Sequence, residues 1–378
     1  MSEAILARGS PSRSGRLVGA VLDGRYRIDA PLGGGAMGTV YRGVQISVGR
    51  PVAIKVVNPE WVRNKDIVRR FVREAMLTSQ LVHPNAVSVL DFGQTSDGIY
   101  YLVMELLTGR TLEDLLRSER RLSPDRVVRI GSQICSALLG AHHLSILHRD
   151  LKPANVILVD GLATQDHVKV VDFGIAKCLS LDPAGIDQSD ITKVGALLGT
   201  PAYMPPEVLL GAPADQRSDL YSLGCIMYEL ATGRTPYLSD NIPGLIAELS
   251  YDIPPTPHEL GVPGPLASII SALIAKNPAH RYIDAAHLQT ALLQLEHPGA
   301  TAMTPLPTAY SFEHEQHMMT PPPAPAPAPL RGRRTWPTVL AFSMVLAVCG
   351  AAIILGLLNK PPGAAPPAAS TAASSPLR

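Results

Sequence analysis

Net charge is almost absent from this chain: 33 Lys and Arg stand against 32 Asp and Glu, a formal +1 over 378 residues. A protein that neutralises nucleic-acid phosphates needs a strong basic field, so no nucleic-acid partner is expected. Cysteine is scarce too. Cys135, Cys178, Cys225 and Cys349 lie far apart, with neither C-x-x-C pairs nor metal-ligand spacing, and Cys349 sits in an apolar run. The other three fit buried thiols in a reducing compartment. A signal-peptide core is missing as well: the apolar patches Ala4–Leu6 and Leu17–Leu22 are short and broken by Arg and Gly. The first 300 or so residues are therefore expected to stay in the cytoplasm. No internal repeat of 20 to 50 residues argues for a solenoid.

What is present changes character along the chain. Residues 1–23 are rich in Ser, Gly and Arg without periodicity, which predicts a flexible arm. From Tyr26 to Val103 the pattern is strand-like, interrupted by one helical stretch around Ile67–Leu81. Helical periodicity dominates from Thr111 onward, as in Val127–Leu139 and Leu220–Leu230. A β-rich part followed by an α-rich part predicts an α+β fold of two lobes rather than βαβ units. The expected domain is 24–295, with lobes 24–104 and 105–295. Residues 296–336 form a Pro-rich linker whose run Pro321–Pro329 favours an extended polyproline spacer.

The segment 337–358 contains the uncharged run Thr338–Leu358, which as a helix would be about 31 Å long, one bilayer core. It predicts a single membrane-spanning helix. Arg331, Arg333 and Arg334 precede it and Lys360 follows, which puts its N-terminal side in the cytoplasm. Residues 359–378, Pro-, Ala- and Ser-rich, are expected to be a short disordered tail on the far side. Ser343, Ala347 and Ala351 form a small-xxx-small face that could pair two copies as a homodimer.

Chemistry-bearing motifs occur in a fixed order. Gly33, Gly35 and Gly38 form G-x-G-x-x-G, where absent side chains let backbone N–H groups approach phosphates. A dinucleotide-binding loop would open a helix, but Thr39-Val40-Tyr41 continues as a strand, so this loop reads as a β-hairpin lid. Val52-Ala53-Ile54-Lys55 ends an apolar strand in a lysine of the kind that holds the α- and β-phosphates of a nucleotide. Arg70-Phe71-Val72-Arg73-Glu74-Ala75 lies on the predicted helix and offers Glu74 as the partner that would orient Lys55. His148-Arg149-Asp150-Leu151-Lys152-Pro153-Ala154-Asn155 matches the pattern H-R-D-L-x-x-x-N along its whole length. Asp-Phe-Gly occurs twice. Asp91-Phe92-Gly93 precedes that loop, after His83-Pro84-Asn85, and reads as a strand-to-turn coincidence; Asp172-Phe173-Gly174 follows it behind the apolar run Val168–Val171 and is the metal-binding candidate.

Taken in this order, the motifs resemble the eukaryotic-type (Hanks-type) protein kinases, from about Tyr26 to Leu295. The resemblance implies the two-lobed kinase fold, protein substrates, and the cofactors ATP and Mg²⁺, with Mn²⁺ as an alternative metal. It implies that Asp150 accepts the proton of the substrate hydroxyl, that Lys152 neutralises the transferring phosphoryl group, and that Asn155 and Asp172 bind the metal. Val40, Ala53 and Ile157 would sandwich adenine. Tyr101–Leu107 would lead into the hinge, with Met104 as gatekeeper and Glu105 and Leu107 presenting backbone groups to the ring. Lys152-Pro153 resembles the serine/threonine rather than the tyrosine kinases, and the Arg-x-x-Arg-Glu-Ala helix with Met37-Gly38 resembles the bacterial transmembrane subgroup.

Gly199–Glu207 resembles the end of an activation segment and a platform for a protein substrate, with Pro205-Pro206-Glu207 in place of Ala-Pro-Glu. By the same resemblance Glu207 pairs with Arg281, Asp219 anchors the catalytic loop, and Thr200, Glu207, Asp219 and Arg281 are structural. Arg149 beside Asp150 implies control by phosphorylation of the activation loop, with Thr192 the expected autophosphorylation site and Ser189 the second choice. Two other readings stay open on sequence: a catalytically silent membrane scaffold, motivated by Pro205 and the Pro-rich linker, and a small-molecule phosphotransferase of related fold.

Overall fold

The computed structural model describes residues 17–35, 38–58, 65–160, 166–173, 201–239 and 241–297. The expected sites Thr192, Ser189 and Thr200, with the linker, the membrane span and the tail, lie outside them. Among the described residues no helix is long and apolar enough to cross a membrane.

The first lobe is a six-stranded antiparallel sheet in the order β1-β2-β3-β4-β6-β5. Its strands are Val21–Leu22 (β1), Tyr26–Gly35 (β2), Gly38–Gln45 (β3), Arg50–Val57 (β4), Val89–Gln94 (β5) and Tyr100–Glu105 (β6). One helix, Lys65–Ser79 (α1), lies between β4 and β5. Val21 and Leu22, assigned on sequence to the flexible arm, pair with Arg27 and Tyr26. Alternation along the strands sorts side chains between two apolar clusters. Ile28, Tyr41, Val52, Ile54, Tyr101 and Val103 pack in one. Val40, Ala53, Leu102 and Met104 pack in the other, with Phe71 and Ala75 of α1. Lys55 alternates with Ile54 and Val56, so it shares the face of Ala53.

Three short strands open the second lobe as an antiparallel sheet: Gly109–Thr111 (β7), Val156–Val159 (β8) and His167–Val170 (β9). Its helices are Leu112–Glu119 (α2), Pro124–His143 (α3), Pro206–Leu209 (α4), Gln216–Thr232 (α5), Ile242–Tyr251 (α6), Gly264–Leu273 (α7) and Ala285–Glu296 (α8). Helices α3 and α5 form the centre, where Ile134, Ala137, Leu138, Leu223, Ile226 and Met227 are fully buried. Local chemistry fixes the ends of α5. The Asp215 side chain accepts from Arg217 N and Ser218 N while Ser218 Oγ accepts from Asp215 N, a reciprocal cap. Gly233, at φ 82°, closes the helix in the left-handed region that glycine adopts without strain.

Candidate active site

The glycine hairpin, the β4 lysine and the loops around β8 and β9 form one cleft-side constellation. Gly35 and Gly38 pair across the turn from β2 to β3. A Cβ on Gly38 would stand 2.1 Å from Val56 O, so close strand approach demands glycine there. Around Gly35 the space is open, as a loop approached by a ligand requires. Lys55 pairs with Val40 on one side and Leu102 on the other, and is only 8% exposed. Val40, Ala53, Met104, Leu107 and Ile157, expected on sequence to border adenine, share a single apolar cluster with Val171.

Lys55 Nζ lies 2.7 Å from Asp172 Oδ1. Burial works to raise the Asp172 carboxyl, but the charge and hydrogen bond of Lys55, with His148 and Lys152 nearby, outweigh it and hold the group below the usual carboxylate range. Glu74, expected beside Lys55, instead has its Oε1 3.9 Å from an Arg149 guanidinium nitrogen. Among the described residues the Lys55–Glu74 pair is not formed. Asp172 holds the ammonium in its place.

On the loop before β8, Lys152 Nζ donates to Asp150 Oδ2 at 2.8 Å. Asn155 Nδ2 donates to Asp150 O at 2.8 Å and to Oδ2 at 3.2 Å. Two donors thus converge on one carboxylate oxygen, fixing the carboxylate with Oδ1 free of any protein donor among the described residues. With its amide nitrogen turned to Asp150, Asn155 keeps its side-chain oxygen for a cation. Asp172 and Asn155 carry hard oxygen donors of the kind that Mg²⁺ takes and would be the residues to hold it. Among the described residues no cluster of three or more His, Cys, Asp or Glu side chains could hold a metal ion.

Asp219 supports the loop from beneath. It is 2% exposed, and its carboxylate accepts from His148 N (2.9 Å), Arg149 N (2.8 Å) and the His142 Nε2–H (2.9 Å). Burial alone would raise this carboxyl; the bond from His142 and the charges and amides around it more than offset that and lower it. These bonds hold Arg149 at φ 63°, an arrangement rare for a side chain of this size. His148, 1% exposed, donates from Nε2 to Val171 O at 3.0 Å and packs its ring 4.9 Å from Phe173, tying the catalytic loop to the Asp-Phe segment.

Glu207 and Arg281 meet in a two-pronged pair, Nη1 to Oε1 and Nη2 to Oε2, both 2.8 Å. Pro205 precedes α4 as its cap, its carbonyl accepting from Val208 N and Leu209 N. A helix start needs no N–H from that residue, so proline fits where alanine was expected. The first Asp-Phe-Gly is spent elsewhere: Asp91, on β5, accepts from Tyr26 Oη and Arg25, both at 2.6 Å. Sequence reasoning missed Lys169, Asn85 and Gln133, which join the two lobes. His83-Pro84-Asn85 was the available signal for the second of these.

A glycine-lidded sheet carrying a buried lysine, set over a helical lobe that presents a constrained aspartate with an Asn and a second Asp, defines a two-lobed phosphotransferase. Comparison with known proteins agrees: the protein kinase domain family matches residues 26–292, and this chain belongs to it. The serine/threonine-protein kinase pkn3 of Myxococcus xanthus is 40% identical over 268 residues, which is 70% of this chain and 48% of that protein. PrkC of Bacillus subtilis (strain 168), also a serine/threonine-protein kinase, is 38% identical over 268 residues, 70% of this chain and 40% of its own length. The chain thus spans about half or less of the length of these two curated relatives. Among crystal structures, the kinase domain of PknI from Mycobacterium tuberculosis aligns with a TM-score of 0.57 at 26% identity, covering 74% of this chain and 98% of that one.

Proposed function

We propose that this protein is an ATP- and Mg²⁺-dependent serine/threonine protein kinase, held at the membrane by residues 337–358 with its catalytic domain in the cytoplasm. The observation that carries the activity is Asp150, fixed by Lys152 and Asn155 and standing on the same scaffold as Asp172 and Lys55.

Each residue then has a task that follows from its place. The apolar residues around Ala53 and Ile157 hold the adenine ring and exclude water. Gly33, Gly35 and Gly38 let the hairpin backbone close on the phosphates. Lys55 would leave Asp172 for the α- and β-phosphates; Asp172 and Asn155 are the residues that would hold the metal, which would supply charge neutralisation at the transferring phosphate. Asp150 Oδ1 accepts the proton of the incoming Ser or Thr hydroxyl, and Lys152, already beside it, balances the charge of the transferring group. Positioning and charge carry most of phosphoryl transfer, so this set suffices without covalent chemistry.

Autophosphorylation at Thr192, with Ser189 as the second site, fits the presence of Arg149 beside Asp150, which could take the phosphate while Glu74 moves to Lys55. Radiolabel transfer from ATP to a generic protein substrate is expected for the wild type and not for Asp150→Asn; equal labelling by both would overturn the kinase reading. Phosphopeptide mapping should find Thr192 modified. Cell fractionation should place the full chain with membranes and release it on deletion of 337–358.

A further inference from the structure

The loop between α1 and β5 belongs to the first lobe by sequence, yet its hydrogen bonds run to the second. Asn85 Nδ2 donates to Val168 O at 3.0 Å and to Gln133 Oε1 at 3.1 Å. Val170 N donates to Asn85 O at 2.8 Å, and Val87 N to Val170 O at 2.9 Å. Between Val168 and Val170, both fully buried, Lys169 points the other way along β9. Its Nζ donates to Ala86 O at 3.0 Å and to Glu105 Oε1 at 2.8 Å. The same carboxylate oxygen accepts from Ser88 N at 2.7 Å, and Glu105 N returns a bond to Ser88 O at 3.0 Å.

A lone surface ion pair would contribute almost nothing. This one is different in two respects. The side chains are only 14% and 24% exposed, and each holds a second partner in fixed backbone. Burial would raise the Glu105 carboxyl, yet the bonds from Lys169 and Ser88 prevail and lower it, so the carboxylate is committed to this arrangement. Glu105 ends β6, and the two residues after it lead to Leu107 in the adenine-side cluster. The side chain is therefore clamped at the point where the backbone would meet the ring.

We infer that Lys169 and Glu105 form a clasp across the lobes that fixes the backbone of Glu105–Leu107 for adenine, making Lys169 a positioning residue for nucleotide selection. Lys169 acts through Glu105 and the loop 85–88. Recognition by backbone groups requires that their placement be settled before the ligand arrives. Without the lysine, Ala86 O loses its donor, the carboxylate is left with its bonds from Ser88 alone, and the segment gains freedom that adenine must remove on binding. A nucleotide held mainly through its phosphates would feel this little. The inference rests on the proposal that this cleft takes ATP.

The test is a titration of full-length protein in detergent with fluorescent derivatives of ADP and, separately, GDP, together with a thermal melt. Lys169→Met is expected to weaken ADP binding about fivefold, a change of about 1 kcal/mol, while GDP binding stays the same, so that the preference for adenine narrows. Lys169→Arg should restore most of the preference. Should Lys169→Met fail to fold, Glu105→Gln keeps an acceptor for Ser88 N while removing the charge, and the same narrowing is expected. A lower melting temperature with unchanged ADP affinity and unchanged preference would make the clasp merely structural and overturn the inference. Wild type that binds neither nucleotide would overturn the ATP-site reading itself, and this inference with it.

Discussion

Lys55 of β4 and Asp172, 117 residues later in the chain, meet at 2.7 Å across the boundary between the sheet and the helical lobe. Each is the group the other would exchange for a ligand: phosphate oxygens for the ammonium, a metal ion for the carboxylate. Asp172 sits at φ 62°, in the left-handed region that aspartate adopts more readily than most residues. The ammonium beside it favours the ionised form of the Asp172 carboxyl and aims the two side chains at each other. In the proposed kinase, exchange of this pair for nucleotide and metal would assemble the site.

Lys55→Met and Asp172→Asn are each expected to reduce kcat by on the order of 10²–10³. The double variant should lose far less than the product of the two, since both serve the same phosphate group. Steady-state transfer to a peptide at saturating ATP measures this. Multiplicative losses would show that the two residues work independently.

Asp150→Asn removes the proton acceptor while leaving an oxygen for Lys152 and Asn155, and should cost roughly 10²–10⁴ in kcat. Nucleotide affinity is expected to stay close to that of the wild type, because in the proposed role Asp150 serves the hydroxyl rather than the adenine. A large loss of nucleotide binding would place Asp150 in a different role.

Much of this site could be read from the chain because its parts are local motifs. A glycine hairpin followed by strand residues, a lysine ending an apolar strand, and His148–Asn155 as one continuous loop each carry their geometry within a few residues. Choosing the second Asp-Phe-Gly over the first also needed only order; in the structure Asp91 of the first is engaged by Tyr26 and Arg25. The Glu207–Arg281 contact spans 74 residues and was reached through resemblance, not through any physical signal in the sequence. Glu74 shows the limit. Which cation it meets depends on where α1 rests against the lower lobe, and composition does not encode that position. Lys169 was hidden for another reason: a single lysine in an apolar strand looks solvated until its partners, Ala86 O and Glu105, are located in space.

Arg281 has a fully buried side chain, and besides Glu207 it donates to the carbonyls of Ala275, Arg217 and Lys276. Arg281→Met leaves the half-buried Glu207 carboxylate with only its bond from Ser218 Oγ and removes a donor from three carbonyls. The expected cost is roughly 3–5 kcal/mol, which lowers the melting temperature by roughly 10 °C for a domain of this size. Adding Glu207→Leu should recover only part of that, because the carbonyls remain unmatched. Full recovery would mean that the ion pair alone accounts for the loss.

His148 gives a pH prediction with a definite sign. Burial is the main influence and lowers its pKa, against the opposing pull of Asp219 and Asp150. The ring donates from Nε2 to Val171 O, and its Nδ1 accepts from Asp150 N at 3.3 Å, so a second proton would turn that acceptor into a donor facing a donor. Below the ordinary histidine value near 6.5, the unfolded chain therefore binds more protons than the folded one, and stability falls as pH falls. The loss should begin near pH 6.5, grow as pH drops towards the folded value, and level off once the folded protein also takes up the proton. Asp172 and Asp219 are held below the usual carboxylate range, so their contributions are lost only in more acid solution. Melting temperatures between pH 8 and pH 5 are the measurement. His148→Gln should lower stability at every pH but flatten the slope between pH 7 and pH 5; an unchanged slope would assign that pH dependence to some other group.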